Sequence, residues 1–287
     1  MKGNPMISTS TVSLPSESYD KKASIYINPD VQTKAVLFYL HGGGLLYGSR
    51  DDLPSAHIEA FTSAGYPVIA LDYPLAPLAD IEMILSDITS SVNLYLSGGI
   101  ESFDGKAPFF MFGRSAGAYL SIMTSLRSEL ASLPAGVVSY YGYGFLTDFW
   151  YNSPAPFYTA LPAVPESVFD SLPSEIHAEG PLESHYSAYV YARQSGKWLS
   201  LFFKDREKFF YANYSLRSVF DYPVPLFTAH SSNDPDVPFS EYMSLSERYD
   251  PNRFVASANQ HDFDSDEDSQ ATASLLQSTL SFLDKSL

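Results

Sequence analysis

The chain contains no cysteine, which excludes disulfides, thiolate metal sites and a cysteine nucleophile. Basic residues are scarce: 17 Lys and Arg stand against 33 Asp and Glu, a net charge of −16. That balance argues against nucleic acid or an anionic membrane as the main partner, and serves solubility instead. No apolar run approaches the ~18 residues that a membrane span needs. The start, "MKGNPMISTSTVSLPSESYD", has no continuous apolar segment of the secretory kind, so the expected location is cytoplasmic. Internal repeats and long linkers are also missing. The acidic run "DFDSDEDSQ" lacks the glycine and terminal glutamate of an EF-hand loop and reads as a solvated helix start, with Asp266, Glu267 and Asp268 in the first turn. Nothing in the composition calls for a metal or a cofactor.

What is present is a large apolar content. Of 287 residues, 45% are hydrophobic and 15% aromatic, enough for one sizeable core. Short runs rich in Val, Ile and Phe, bounded by Gly or Pro, read as buried strands. They are "KAVLFYL" (34–40), "YPVIALDY" (66–73), "APFFMFG" (107–113), "AGVVSYYG" (135–142), "VPLFTAH" (224–230) and a shorter "NRFVASA" (252–258). Between them lie helical patterns over 53–64, 81–96, 116–130, 240–249 and 268–283. In the second, Ile81, Ile84, Leu85, Ile88, Val92 and Tyr95 recur at helical spacing. Strands alternating with helices predict an α/β class, with a mostly parallel sheet covered on both faces. The alternation stops at about 145 and resumes at about 222. That Pro- and aromatic-rich stretch is too long for a plain loop, so it reads as a cap inserted into a single domain spanning 1–287.

Two glycine-rich stretches carry the chemistry. "GRSAG" (113–117) follows a predicted strand and opens a predicted helix. In G-x-S-x-G the serine sits on a tight turn that lifts its Oγ clear of the sheet edge, which makes Ser115 the candidate nucleophile. A serine hydroxyl needs a base, and the base needs an orienting acid. In a sheet of this kind both should follow the serine in the chain, acid first. His177 and His185 fall in the inserted stretch, and His230 precedes the acid loop. His261, in "NQHDF", follows the last strand and is the candidate base. The loop "SSNDPDVPFSEY" offers two acids. Asp234 stands at the first turn past its strand; Asp236, two residues on, is expected to face outward and to cap the helix near Phe239. "HGGG" (41–44) follows a buried strand, and its glycines can aim backbone N–H groups at a developing oxyanion, joined by the N–H of Ala116. His41 is expected to brace that turn.

These pieces resemble the α/β-hydrolase superfamily, specifically its hormone-sensitive-lipase-like carboxylesterase/lipase branch. The matching segments, in order, are "HGGG", "LDYPLAP" (71–77), "GRSAGAYLS", "DPDVP" and "HDF". The resemblance implies an α/β-hydrolase fold over about Lys34 to Leu283. It implies Ser115 as nucleophile, Asp234 as acid and His261 as base, with Gly43, Gly44 and Ala116 as oxyanion donors. It also implies a small-molecule ester substrate and no cofactor. The chain departs from the branch's G-D-S-A-G-G in having Arg114 and Ala118, and from its helix-approach segment in having Pro74. Arg114 is expected to tuck under the serine turn, where it could pair with a carboxylate. The expected activity is cleavage of small uncharged carboxylic esters through an acyl-enzyme. A peptidase or amidase of the same fold is one alternative; a non-catalytic ligand receptor, which would drop the histidine, is another. Oligomeric state is not readable from the sequence.

Overall fold

The computed structural model describes residues 7–287. The first six residues, part of the start read above as lacking a secretory signal, lie outside the described residues. Eight strands form one sheet: β1 (Ser8–Ser13), β2 (Lys22–Ile27), β3 (Val36–Leu40), β4 (Val68–Leu71), β5 (Phe109–Arg114), β6 (Gly136–Tyr140), β7 (Leu226–Ser231) and β8 (Asn252–Ala256). Their spatial order is β1-β2-β4-β3-β5-β6-β7-β8. β2 runs antiparallel to β1 and β4, and every later pairing is parallel. The expected α/β class with a mostly parallel sheet is therefore borne out.

Side-chain alternation along each central strand feeds two cores. Val36, Phe38 and Leu40 of β3, with Met111 of β5, pack on one face against α2 (Ile81–Leu96), which contributes Ile84, Ile88 and Val92. Leu37 and Tyr39, with Phe110 and Phe112, face α1 (Ser55–Ser63) and α8 (Gln270–Lys285) through Phe61, Leu275 and Phe282. Fully buried side chains of this size contribute about 1.5–3 kcal/mol each. Burial on both faces explains why these strands read as unbroken apolar runs. α2 starts where Asp80 caps it, accepting from the Met83 N–H at 2.8 Å.

The structure departs from the expected elements at three places. The hairpin β1–β2 was not expected; it is Ser- and Thr-rich, and β1 is almost wholly exposed at the sheet edge. α3 (Ala116–Thr124) stops short of residue 130, because the chain turns and lays Arg127 across Glu82 of α2 at 2.7 and 2.9 Å. α8 begins at Gln270, capped by Ser269. Glu267, expected in its first turn, instead caps α1, accepting from Ser55 Oγ at 2.7 Å and the Ala56 N–H at 2.6 Å.

Between β6 and β7 the chain forms α4 (Pro156–Thr159), α5 (Leu182–Ser195) and α6 (Glu207–Asn213), joined by three-ten turns. α7 (Phe239–Tyr249) follows β7. The buried Trp198, Phe202 and Phe210 of this stretch belong to the same core as α2 and β3. Its opening loop bends sharply, with Leu146, Asp148 and Phe149 at φ 52°, 58° and 54°. Glu241 of α7, fully buried, holds that bend. It accepts from the N–H groups of Gly144, Phe145 and Thr147 and from Trp150 Nε1, at 3.0–3.1 Å. Among the described residues no helix is long and apolar enough to cross a membrane.

Candidate active site

Ser115 lies between β5 and α3 with φ 54° and ψ −117°, a conformation that L-residues rarely hold. The turn is possible because strand and helix nearly touch: a Cβ on Gly117 would come within 2.0 Å of the Leu40 carbonyl oxygen. The Ser115 N–H donates to the Tyr140 carbonyl at 2.9 Å, which ties the turn to β6.

Three side chains from three strand ends form one hydrogen-bonded row. Ser115 Oγ is 2.7 Å from His261 Nε2, and His261 Nδ1 is 2.6 Å from Asp234 Oδ2. The other oxygen of Asp234 accepts the backbone N–H groups of Asp236 and Val237 at 2.8 and 3.0 Å, so its orientation is locked. His230, which sequence reasoning set aside, lies beneath: its Nε2 is 3.0 Å from the Val237 carbonyl and 3.5 Å from Asp234. Burial alone would raise the Asp234 pKa, but the His261 charge and hydrogen bond, His230 and a backbone N–H outweigh it and hold the carboxyl below its ordinary value. Burial pushes His261 down; charge and hydrogen bonding from Asp234, then the charges of Asp236 and Asp262, push it up by more, so its pKa is raised.

The glycine loop arches over the serine. Gly43 and Gly44 have φ +95° and +58°, in the left-handed region that favours glycine. Among the described residues, the N–H groups of Gly43, Gly44 and Ala116 have no protein acceptor. The Gly44 carbonyl accepts from Trp198 Nε1 at 2.8 Å, and the Tyr189 ring packs so tightly that a Cβ on Gly44 would come within 2.1 Å of it. His41 braces the loop, as expected. Its ring stacks on Tyr73 at 4.2 Å, and its Nδ1 lies 2.8 Å from the Gly42 carbonyl oxygen.

Asp236 is where the sequence misleads. It neither faces outward nor caps α7, whose N-cap is Pro238 with no side-chain bond. It is 8% exposed and lines the cavity, with Oδ2 4.0 Å from His261 Nε2. Tyr189 of α5 donates to both its oxygens, at 3.0 and 2.8 Å, and Arg193 Nη2 lies 3.5 Å from Oδ1. The reversal arises because α5 brings a hydroxyl and a guanidinium over the loop.

Arg114 is buried beneath the serine turn, as expected, and its partner is Asp264. Nη2 is 3.3 Å from Asp264 Oδ1, while Nε donates to the Tyr141 hydroxyl at 2.6 Å. Tyr141 donates to the same carboxylate at 2.8 Å and sets its ring 4.8 Å from that of His261. His57 Nε2 approaches the other oxygen to 3.0 Å, off the direction of a true hydrogen bond. A charge of opposite sign three residues past His261 was the signal available for this cluster. The cavity over Ser115 holds about 580 Å³, and Phe157, Tyr158, Leu182, Tyr186 and Tyr189 of the inserted stretch face it. No group of three or more metal-ligating side chains occurs among the described residues.

A sequence model of the α/β-hydrolase fold matches residues 37–173. A solved α/β-hydrolase superfamily protein from Enterococcus faecalis is 27% identical, superposes with a TM-score of 0.79, and covers 96% of this chain and 98% of its own. The chain has the α/β-hydrolase fold. A second structure, a Staphylococcus aureus protein of unknown function, is 25% identical with a TM-score of 0.82, covering 97% of this chain and 100% of its own. Among curated relatives, an acetyl esterase of Salmonella schwarzengrund is 30% identical over 123 residues, 42% of this chain. That match spans 38% of the esterase's own length. The resemblance read from the motifs is borne out at the level of the fold, and an acetyl esterase is among the similar proteins.

Proposed function

We propose that this hydrolase cleaves small, uncharged carboxylic esters through a serine acyl-enzyme. Ser115 Oγ attacks the ester carbonyl carbon while His261 Nε2 takes its proton. The carbonyl oxygen, now negative, is held by the N–H groups of Gly43, Gly44 and Ala116. The carbon–oxygen bond to the alcohol breaks and the alcohol leaves with the proton from His261. Water, deprotonated by His261, then attacks the acyl-enzyme and releases the acid and free Ser115. Asp234 fixes the imidazole tautomer and stabilises its charged form.

The observation that carries this reading is the unbroken row from Ser115 Oγ to His261 to Asp234, at 2.7 and 2.6 Å, beside a glycine loop with unpaired N–H groups. Residues 145–222 serve as the cap, whose aromatic side chains wall the cavity. The activity named for the Salmonella relative supports a short acyl group. A receptor without catalysis is disfavoured because it would drop the histidine, whereas this chain keeps His261 with Nε2 2.7 Å from Ser115 Oγ. The test is Ser115→Ala, assayed on p-nitrophenyl esters of increasing acyl length. Loss of turnover with an unchanged circular-dichroism spectrum, and loss of labelling by a fluorophosphonate, is the expected result. Labelling at another serine would overturn it.

A further inference from the structure

Asp236 lines the cavity, with Oδ2 4.0 Å from His261 Nε2, the nitrogen that passes its proton to the leaving alcohol in the reaction proposed above. A carboxylate offers four acceptor positions. Here one hydroxyl, shared from Tyr189, and one long contact to Arg193 engage it, so lone pairs toward the cavity stay free. A buried acceptor with spare capacity is costly unless a donor arrives. The position decides what that donor is. His261 Nε2 must hand its proton to the alcohol oxygen, which therefore sits about 2.6–3.2 Å from it in the reacting complex. Asp236 Oδ2 lies 4.0 Å from the same nitrogen. A hydroxyl on the carbon next to the ester-bearing carbon of the alcohol can reach this oxygen while the ester oxygen stays on His261. The rim is of matching character: Asn259, Gln260 and Asp262 from the histidine loop line the cavity mouth, and Asp262 adds a second carboxylate that repels anionic alcohols.

We propose that Asp236 is a specificity-determining residue that binds a hydroxyl of the alcohol half, so that the preferred substrates are short-chain monoesters of diols and polyols. This rests on Ser115 acting as the nucleophile. Tyr189 and Arg193 hold the carboxylate in place, and their reach from α5 makes the pocket depend on the inserted stretch. Substrates whose neighbouring oxygen is an ether, or whose alcohol is a plain alkyl group, leave Asp236 unsatisfied and are penalised. A site built to accept a hydrogen bond discriminates strongly against the analogue that lacks it.

The test compares 2-hydroxyethyl acetate with 2-methoxyethyl acetate, equal in ester chemistry and different in one donor. Wild type is expected to favour the hydroxyl ester in kcat/KM by roughly 10- to 100-fold. Asp236→Asn should shrink that ratio at least several-fold; if it does not fold, Asp236→Glu, which displaces the carboxylate by one methylene, is read the same way. A wild-type ratio near one, or a ratio that survives these substitutions, overturns the proposal. Acetylcholine, a cation without a donor, is the third substrate: its preference over the hydroxyl ester would mean that the pocket reads charge, and would also overturn it. Fluorophosphonate labelling of wild type separates the two levels. Labelling with equal turnover of all three esters sinks the Asp236 assignment alone, while absence of labelling and turnover sinks the serine mechanism with it.

Discussion

Asp264→Asn is the sharpest probe of how the site is held together. Asp264 is fully buried and meets three partners: the Tyr141 hydroxyl at 2.8 Å, Arg114 Nη2 at 3.3 Å and His57 Nε2 at 3.0 Å. Asn keeps the shape and removes the charge. The Arg114 guanidinium then stays buried, bonded to the Tyr141 hydroxyl and the Asp52 carbonyl, with the more distant charge of Asp52 as its counterweight. Breaking a buried pair from one side costs about 3–5 kcal/mol. At about 2–4 °C per kcal/mol, the midpoint should fall by on the order of 10 °C. The loss should be level from pH 5 to pH 8. Burial would raise the Asp264 pKa, yet Arg114, His57 and Tyr141 hold it well below the usual carboxylate range. Its stabilisation is therefore complete above the unfolded value of about 3.9, and fades only as pH falls toward the depressed folded value. Thermal melts and urea titrations followed by circular dichroism measure this. The double variant Arg114→Met with Asp264→Leu removes both charges and should recover more than half of the loss, since an apolar pair of similar volume tolerates burial. An Asp264→Asn protein within 1 kcal/mol of wild type, or a double variant less stable than the single, would refute charge pairing as the cause.

Asp234→Asn should lower kcat by about 10⁴ through the wrong imidazole tautomer, read from steady-state ester hydrolysis; a variant with near-normal kcat would remove Asp234 from the acid role. The acid limb of the kcat/KM profile should lie above the ordinary imidazole value of about 6.5, because Asp234, Asp236 and Asp262 outweigh burial and favour charged His261, which cannot act as base. Asp236→Asn should move that limb to lower pH. Gly44→Ala puts a Cβ within 2.1 Å of Tyr189 at φ +58°, so kcat should fall, and adding Tyr189→Ala should restore part of it; a fully active Gly44→Ala would show that the glycine loop is not confined.

The central strands were readable because of where they lie. β3 through β7 are covered on both faces, so nearly every position is apolar and each run stands out against the Gly and Pro that bound it. β1 is at the edge, where no core demands a pattern, and "STSTVS" carries β-propensity but no apolar signal. β2 is paired on both sides, but only Ala23 and Ile25 of it are buried in the core, alternating with Lys22 and Ser24, which leaves no unbroken apolar run. The short helices α4 and α6 failed to register for a related reason. They have one or two turns each, and aromatic rings packing sideways, as Trp198 does on Phe202 at 4.7 Å between α5 and α6, replace the regular stripe of a long helix.

The site divides along the same line. Ser115, His261 and Asp234 were legible because each sits at the carboxyl end of a strand, and local chain geometry alone restricts what can stand there. The roles of Asp236 and Glu241, and the identity of the carboxylate that pairs with Arg114, were not, because the partners are distant in the chain. Tyr189 is 47 residues from Asp236, and Asp264 is 150 from Arg114. Glu241 lies 94 residues from Thr147 and 97 from Gly144. A carboxylate's neighbours decide whether it caps, pairs or binds, and sequence spacing carries no information on neighbours brought by tertiary packing. The sequence did hold one usable hint: Arg in place of Asp before the nucleophile. A guanidinium in a turn that close to the sheet has no room to reach water, so it demands a buried carboxylate nearby. The loop that delivers His261 already had to approach Ser115, and the "HDFD" segment supplies that carboxylate three residues on. The same contact that neutralises Arg114 therefore ties the turn of Ser115 to the loop of His261, and a substitution at either end should disturb both the fold and the alignment of Ser115 with His261.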